Sequence, residues 1–289
     1  MTVAATGIAL YDDTARDAAA VVVSRYSTSF AIACRLLGRR VRPHVRNVYA
    51  LVRVADEIVD GPAAAAGVPP EALRTLLDEL EDETGSAIER GFSANLVVHA
   101  FAATARECAI TSAHTAPFFA SMRADLTVRT HDVASHDAYV YGSAEVVGLM
   151  CLQTFVNAGR ARPVAAAPDL IDGARRLGAA FQDVNFLRDA AHDMRALGRD
   201  YLGAVDRRAV LDRIDADLDA AAAVIPRLPA DCRRAVTAAH DLFAELALRL
   251  RDARPGTGRV RVPDTRKALI AARAALGRPP RLQRGRAAA

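Results

Sequence analysis

Apolar residues recur along the chain at spacings of three and four, with alanine and leucine dominating, and no alternating run bounded by turn residues persists anywhere. That period belongs to packed α-helices, which these residue types favour. It predicts helices over 14–37, 43–60, 70–82, 87–110, 115–128, 135–159, 168–194, 205–224, 230–253 and 263–276. Breakers fall between them: Pro43 near one start, then "GP" at 61–62, "VPP" at 68–70, "ARP" at 161–163, "RLP" at 227–229 and "RPGTG" at 254–258. There is no internal repeat and no convincing linker. The expectation is one all-α domain over 14–277, with an N-terminal tail at 1–13 and a basic, proline-broken, disordered tail at 278–289. Helices such as "AEVVGLMCLQTFV" (144–156) are apolar on more than one face and read as buried, around either a filled core or an apolar cavity.

The polar positions that interrupt this pattern are not scattered. In "AFQDVNFLRDAAHDMRALGRDYL" (180–202), Asn185, Asp189 and Asp193 are spaced by four, and Gln182 precedes Asn185 by three. Four helical residues turn the chain by roughly 400°, so these side chains form one ribbon about 40° apart. In "NVYALVRVADEIVDG" (47–61), Tyr49, Arg53, Asp56 and Asp60 share a face in the same way. A single DxxxD pair also fits a solvated helix face. Two such pairs on mostly apolar helices suit a different arrangement, because four buried carboxylates are strongly destabilising unless cations meet them. Mg²⁺ fits: it takes oxygen ligands, keeps waters, and is completed by substrate phosphates. Ser27, Thr28 and Ser29, ahead of Phe30, can cap a helix or bind phosphate, and Arg53 can grip a diphosphate in the bidentate manner of arginine.

The 289 residues are 52% hydrophobic and 5% aromatic. Cys34, Cys108, Cys151 and Cys232 lie far apart, which argues against a disulfide framework or a zinc site and for a reducing cytosol. The run "AAAVVV" at 18–23 is too short to span a bilayer, and no signal-peptide pattern precedes it. A cytoplasmic protein is expected, soluble or seated peripherally on the inner face of the membrane, with a monomer as the default. The net charge of +4 is almost all arginine, Lys267 being the one lysine, and a GC-rich genome accounts for that bias. The tail "RPPRLQRGR" at 278–286 could also adhere to anionic lipid, at about 1 kcal/mol per basic residue. No basic stripe interleaved with aromatics points to nucleic acid.

Four stretches together, "STSF", "YALVRVADEIVD", "YVYGSAEVVGLM" (139–150) and "QDVNFLRDAAHDMRALGRDYL", resemble the squalene/phytoene synthase family, the head-to-head trans-isoprenyl diphosphate synthases, with bacterial phytoene synthases the nearest pattern. The resemblance implies a single-domain isoprenoid-synthase helical bundle around a deep central cavity. It implies Mg²⁺ ligands at Asp56, Asp60, Asp189 and Asp193, with Asn185 on the same ribbon, and Mn²⁺ as an alternative ion. Arg53, Tyr49, Gln182, Asn185 and Arg188 match positions lining the site, and Ser27, Ser29 and Phe30 match a flap over the diphosphate. Tyr139, Val147 and Gly148 match the cavity wall, and Tyr201 follows the second motif. Three departures stand out: Glu145 where relatives carry a small residue, Gly203 where they carry proline, and no tyrosine after Tyr201, only Phe243.

The implied reaction joins two prenyl diphosphates, most simply two C20 units, through a cyclopropylcarbinyl diphosphate to a linear hydrocarbon. Two C15 units would give presqualene diphosphate, dehydrosqualene or squalene instead. NADPH is not expected. Chain-elongating prenyltransferases and terpene cyclases normally show DDxxD, whereas this chain reads "DEIVD" and "DAAHD". A helical metal phosphohydrolase is a more distant reading, prompted by the dipeptides His131–Asp132, His136–Asp137, His192–Asp193 and His240–Asp241.

Overall fold

The structure, a computed structural model, describes residues 6–203, 205–253 and 259–283, apart from the side chains of Thr28 and Ser29. Its helices are α1 (Ile8–Tyr26), α2 (Thr28–Arg35), α3 (Arg42–Val59), the single turn α4 (Pro62–Ala65), α5 (Pro70–Arg90), α6 (Leu96–Cys108), α7 (Ser112–Thr127), α8 (Val133–Val140), α9 (Val146–Asn157), α10 (Pro168–Ala196), α11 (Arg207–Val224), α12 (Ala230–Asp252) and α13 (Asp264–Ala275). A π-helical turn, Tyr141–Glu145, joins α8 to α9. There is no strand among the described residues, only one bridge between Thr130 and Asp200.

Local chemistry sets most boundaries. Pro43, Pro70 and Pro168 occupy first-turn positions, where a missing N–H costs nothing. Asn95, Asp132 and Asp206 cap α6, α8 and α11 by accepting backbone N–H bonds. The expected helix over 14–37 divides at Ser27, whose extended backbone ends α1 and whose Oγ accepts from Phe30 N at 3.1 Å to start α2. The expected start at residue 87 gives way to α5 running on to Arg90. A stop at Gly91, in the left-handed region, then separates it from α6.

Both expected tails are shorter than the pattern implied. α1 begins at Ile8, and within it the Tyr11 hydroxyl donates to Ser93 O at 2.8 Å while Asp12 pairs with buried His99 at 2.7 Å. At the other end, Arg281 N donates to Asp241 Oδ1 and Gln283 N to Asp219 Oδ1, and Gln283 is 6% exposed. The expectation of disorder from residue 278 therefore fails as far as Gln283; backbone amides there satisfy carboxylates of α11 and α12. Residues 284–289 lie outside the described part.

One large core joins α3, α5, α6, α7 and α9 around fully buried Phe101, Phe118 and Phe119, and a second joins α10, α11 and α12 around Ile214, Leu218 and Leu250. Each such side chain contributes about 1.5–3 kcal/mol on leaving water. The two cores face each other across a cavity, and α9 and α10 close its wall by near backbone contact. A Cβ on Gly148 would lie 2.5 Å from Ala174 O, and one on Gly178 would lie 2.6 Å from Ala144 O. Gly178→Ala should therefore cost about 1–3 kcal/mol by overpacking. Gly85→Ala, in α5 with open space around it, should gain about 0.5–1 kcal/mol. Urea unfolding of the two variants measures both; equal midpoints would mean that α10 is not in close contact with the π-helical turn that leads into α9.

Candidate active site

A cavity of about 1060 Å³ runs between the cores. Its inner part is apolar: Leu37, Val45, Phe155, Leu170, Val224 and Leu228 line it, while Val147, Gly148, Cys151 and Leu152 of α9 form one side. Its mouth is polar, lined by Tyr49, Arg53 and Asp56 of α3 and by Gln182, Asn185 and Arg188 of α10. The first part of each expected ribbon, Tyr49, Arg53 and Asp56 on α3 and Gln182 and Asn185 on α10, thus opens into one space, while Asp60, Asp189 and Asp193 do not line it.

Of the four carboxylates, Asp56 lines the cavity, Asp189 pairs with the lining arginines Arg188 and Arg259, and Asp60 and Asp193 stand at the ends of α3 and α10. Asp56 is half-buried and lines the cavity; burial, then the neighbouring charge of Asp60, pushes its carboxyl up to about 8. Asp193 is pushed up to about 6 by burial, by Asp189 and by Asp60, so the end of α3 and the end of α10 feel each other's charge. Burial works to raise Asp189 too, but Arg188 at 2.6 Å and Arg259 at 2.7 Å outweigh it and hold that carboxyl below its usual range. Asp60 is paired with Arg199 at 2.9 Å. Arg53, expected to await a diphosphate, is ion-paired with Glu57, lies 3.7 Å from Asp56, and stands over the ring of Tyr26 at 4.7 Å.

Among the described residues no group of three His, Cys, Asp or Glu side chains is drawn together tightly enough to hold a metal by itself. The donor set nevertheless fits a hard cation. Asn185 Oδ1 is buried with no hydrogen-bond partner, directly on the acidic ribbon, and two of the four carboxyls have raised proton affinity that a cation would relieve.

This has a consequence for stability. Asp56 and Asp193 bind their protons more tightly in the folded chain than at the ordinary value of 3.8. Their contribution is complete below about pH 4 and is lost as pH rises toward about 8, where the folded form must carry unrelieved charge. Asp189 acts oppositely, and its contribution is lost only as pH falls below the ordinary range. Metal-free protein should melt lower at pH 8 than at pH 6. Added Mg²⁺ should raise the melting temperature more at pH 8 than at pH 6. A calorimetric series with equal shifts at both pH values would contradict the placement of these carboxyls.

Behind the mouth lies a buried network that the pattern of the sequence did not disclose. Asp125 of α7, 4% exposed, accepts from the hydroxyls of Tyr139 and Tyr201, each at 2.8 Å. Arg199, also 4% exposed, donates to Asp60, to the Tyr201 hydroxyl at 3.0 Å and to Val59 O. Burial pushes the Asp125 carboxyl up to about 6 against the pull of Arg199 and the two phenols. Tyr139 and Tyr201, expected on the cavity wall or beside it, instead lie behind it, packed with Val140 and Phe186, and Tyr201 stacks on Phe186 at 4.5 Å. Their place is to support α7, α8 and the end of α10.

Of the expected flap, Ser27 and Phe30 line the cavity, Ser27 as the cap of α2 and Phe30 stacked on Tyr49 at 4.6 Å; the Ser29 side chain is outside the described residues. Glu145 turns away from the cavity and pairs with Arg175 at 2.6 Å. Gly203, at φ 51°, sits where a Cβ would come within 2.2 Å of His131 O, so its backbone excludes a larger residue. Phe243 lines the cavity and stacks on Phe181 at 3.8 Å. Instead of a tyrosine lid, Arg259, Val260 and Arg261, with Lys267 of α13, close the opposite side of the mouth. The only hint of this in the sequence was their position after "RPGTG". The HD dipeptides do not converge: His136 bonds Tyr201 O and Asp183, while His240, fully buried in α12, bonds Asp241 and Leu218 O. That arrangement speaks against the phosphohydrolase reading.

The bundle thus encloses one cavity that is apolar within and carries carboxylate, amide and arginine side chains at its mouth. The family model described as squalene/phytoene synthase matches residues 23–206. A 15-cis-phytoene synthase from Paracoccus sp. is 28% identical over 86% of this chain and 86% of its own. A phytoene synthase from Mycobacterium tuberculosis is 31% identical over 65% of this chain and 57% of its own. Among solved structures, a dehydrosqualene synthase superposes with TM-score 0.75 at 21% identity, over 92% of this chain and 97% of that one. The squalene synthase HpnC from Alicyclobacillus acidocaldarius does so with TM-score 0.70 at 19% identity, over 84% and 95%. The chain belongs to the squalene/phytoene synthase family. It is a prenyltransferase, of the kind that condenses prenyl diphosphates head to head. Among the described residues no helix is long and apolar enough to cross a membrane.

Proposed function

We propose that the enzyme joins two geranylgeranyl diphosphates to phytoene by way of prephytoene diphosphate, with Mg²⁺ (or Mn²⁺) held by Asp56, Asp60, Asn185, Asp189 and Asp193. The observation that carries this reading is the continuity of one cavity from a charged mouth to an apolar floor. Its size, about 1060 Å³, is at the upper end of small-molecule sites, as two long tails require. The names of the phytoene synthases at 28% and 31% identity support the C20 substrate.

Arg188, Arg259 and Lys267 receive the diphosphate, and Arg53 exchanges Glu57 for it. The bound ion would neutralise charge on the leaving diphosphate. Loss of diphosphate leaves an allylic cation, which the double bond of the second chain attacks; a proton departs and the cyclopropane closes. A second loss of diphosphate, rearrangement and proton loss give the hydrocarbon. The sequence of steps is redox-neutral, so no NADPH is needed. Val147, Cys151, Leu152 and Phe155 hold the tails and keep water from the cation, which would otherwise end as an alcohol.

The test is incubation of purified protein with Mg²⁺ and either geranylgeranyl or farnesyl diphosphate, without NADPH, followed by mass analysis of the extracted hydrocarbons. A C40 hydrocarbon from the first substrate is expected. Product only from farnesyl diphosphate would reassign the chain length, and no hydrocarbon from either would overturn the reading.

A further inference from the structure

The π-helical turn that joins α8 to α9 is anchored on both sides of Ser143. Arg175 lies over the ring of Tyr141 at 5.3 Å and pairs with Glu145 at 2.6 Å. A Cβ on Gly142 would clash with Ser121 Oγ and Pro117 O, so the turn is pressed against α7. On its other side Ala144 O is the atom that a Cβ on Gly178 of α10 would meet at 2.6 Å. Ser143 stands between these anchors and lines the cavity, and its hydroxyl is buried without a hydrogen-bond partner. Single π-helical turns inside helices occur frequently at functional sites.

Among the described residues, three that line the cavity carry a buried side-chain atom with no such partner: Arg53 Nε, Ser143 Oγ and Asn185 Oδ1. The proposed diphosphate and ion account for Arg53 and Asn185, and no step above uses Ser143. A buried unpaired hydroxyl works against folding, so a partner that arrives with the ligand is the economical reading. The height of Ser143 in the shaft shows which part of the ligand that is. The chain from Ala144 to Gly148 and α10 pass each other in opposite directions, Gly148 against Ala174 and Ala144 against Gly178. Further toward the mouth, Tyr139 faces Phe186 at 5.9 Å. Ser143 is therefore level with the turn of α10 from Gly178 to Gln182, where the apolar shaft meets the charged mouth. Deeper on the same wall, Val147, Gly148, Cys151 and Leu152 offer neither a hydroxyl nor an amide side chain. At this level a prenyl diphosphate presents one acceptor, the ester oxygen between C1 and the diphosphate.

We propose that Ser143 is a catalytic residue of the ionisation step, its hydroxyl donating to that ester oxygen. As the C1–O bond breaks, the electron pair stays on the oxygen, which becomes a terminal oxygen of the departing diphosphate. The hydroxyl keeps its proton, and its hydrogen bond strengthens as the negative charge forms. The inference rests on the reading of the site as one that ionises prenyl diphosphates, and on neither the C20 chain nor the identity of the hydrocarbon.

The experiment compares wild type, Ser143→Ala and Ser143→Thr, with Mg²⁺ and either geranylgeranyl or farnesyl diphosphate. It measures release of diphosphate, extracted hydrocarbon and the melting temperature of each protein without substrate. Ser143→Ala should lower kcat for diphosphate release by about tenfold to a hundredfold with KM little changed. Ser143→Thr, which keeps a hydroxyl, should recover most of that loss. The melting temperature of Ser143→Ala should be kept or raised, because no hydrogen bond within the protein is lost. A kcat within threefold of wild type in the alanine variant would overturn the proposal. So would a fall in kcat that comes with a lower melting temperature, or one that threonine leaves unrepaired, since either marks a packing role. Diphosphate released by wild type without any hydrocarbon would count against the condensation and not against Ser143. No release from either substrate would overturn both.

Discussion

Asp189→Asn should lower kcat for prenyl diphosphates by about a hundredfold to a thousandfold while leaving the fold intact. Arg188 and Arg259, on either side, hold the Asp189 carboxyl below its usual range. The amide keeps the shape and removes the charge. The two arginines would then face the mouth without their counter-charge, so substrate binding should be kept or tightened while turnover falls. Separation of kcat from KM is the informative readout. Turnover within threefold of wild type, or a large rise in KM with kcat preserved, would mean that Asp189 serves to bind rather than to promote departure of the diphosphate.

The largest effect on stability is expected from Asp125→Ala, at about 3–5 kcal/mol. Asp125 is the shared acceptor for two buried phenols and lies 3.6 Å from the buried guanidinium of Arg199. Without it Arg199 keeps only Asp60, the Tyr201 hydroxyl and a backbone carbonyl. Asp125→Asn retains an acceptor and should recover part of the loss. Because Arg199 grips Asp60, a loosened Arg199 should also reduce turnover in the alanine variant at temperatures where it remains folded. Urea unfolding measures the first effect. A loss below 1 kcal/mol in the alanine variant would show that Asp125 is not the hub of this network.

The periodicity of apolar residues gave the helices and the all-α class, because helix packing imposes that period directly. It missed the division at Ser27, where a hydroxyl replaces a backbone partner for one turn, and the π-helical turn at Tyr141–Glu145, which leaves no mark on spacing. The acidic ribbons were legible because ligands on one helix must repeat at three or four. Asp125 and Arg199 were not, since their partners lie 76 and 139 positions away and only tertiary packing brings them together. Arg259 and Lys267 escaped for the same reason. Tyr139 was read into the wall, and Tyr201 as a substrate-binding residue after the second motif, by resemblance; both hydroxyls turn instead to the buried carboxylate of Asp125.

The convergence of both acidic ribbons on one mouth above one apolar shaft is tested most directly by a crystal structure with Mn²⁺ and a non-hydrolysable geranylgeranyl thiodiphosphate. Anomalous density between Asp56 and Asp60 on one side and Asn185, Asp189 and Asp193 on the other, with the tail running past Val147 toward Phe155, is the expected result. Metal bound elsewhere, or a tail lying outside the cavity while the mouth stays closed by its own arginines, would contradict it.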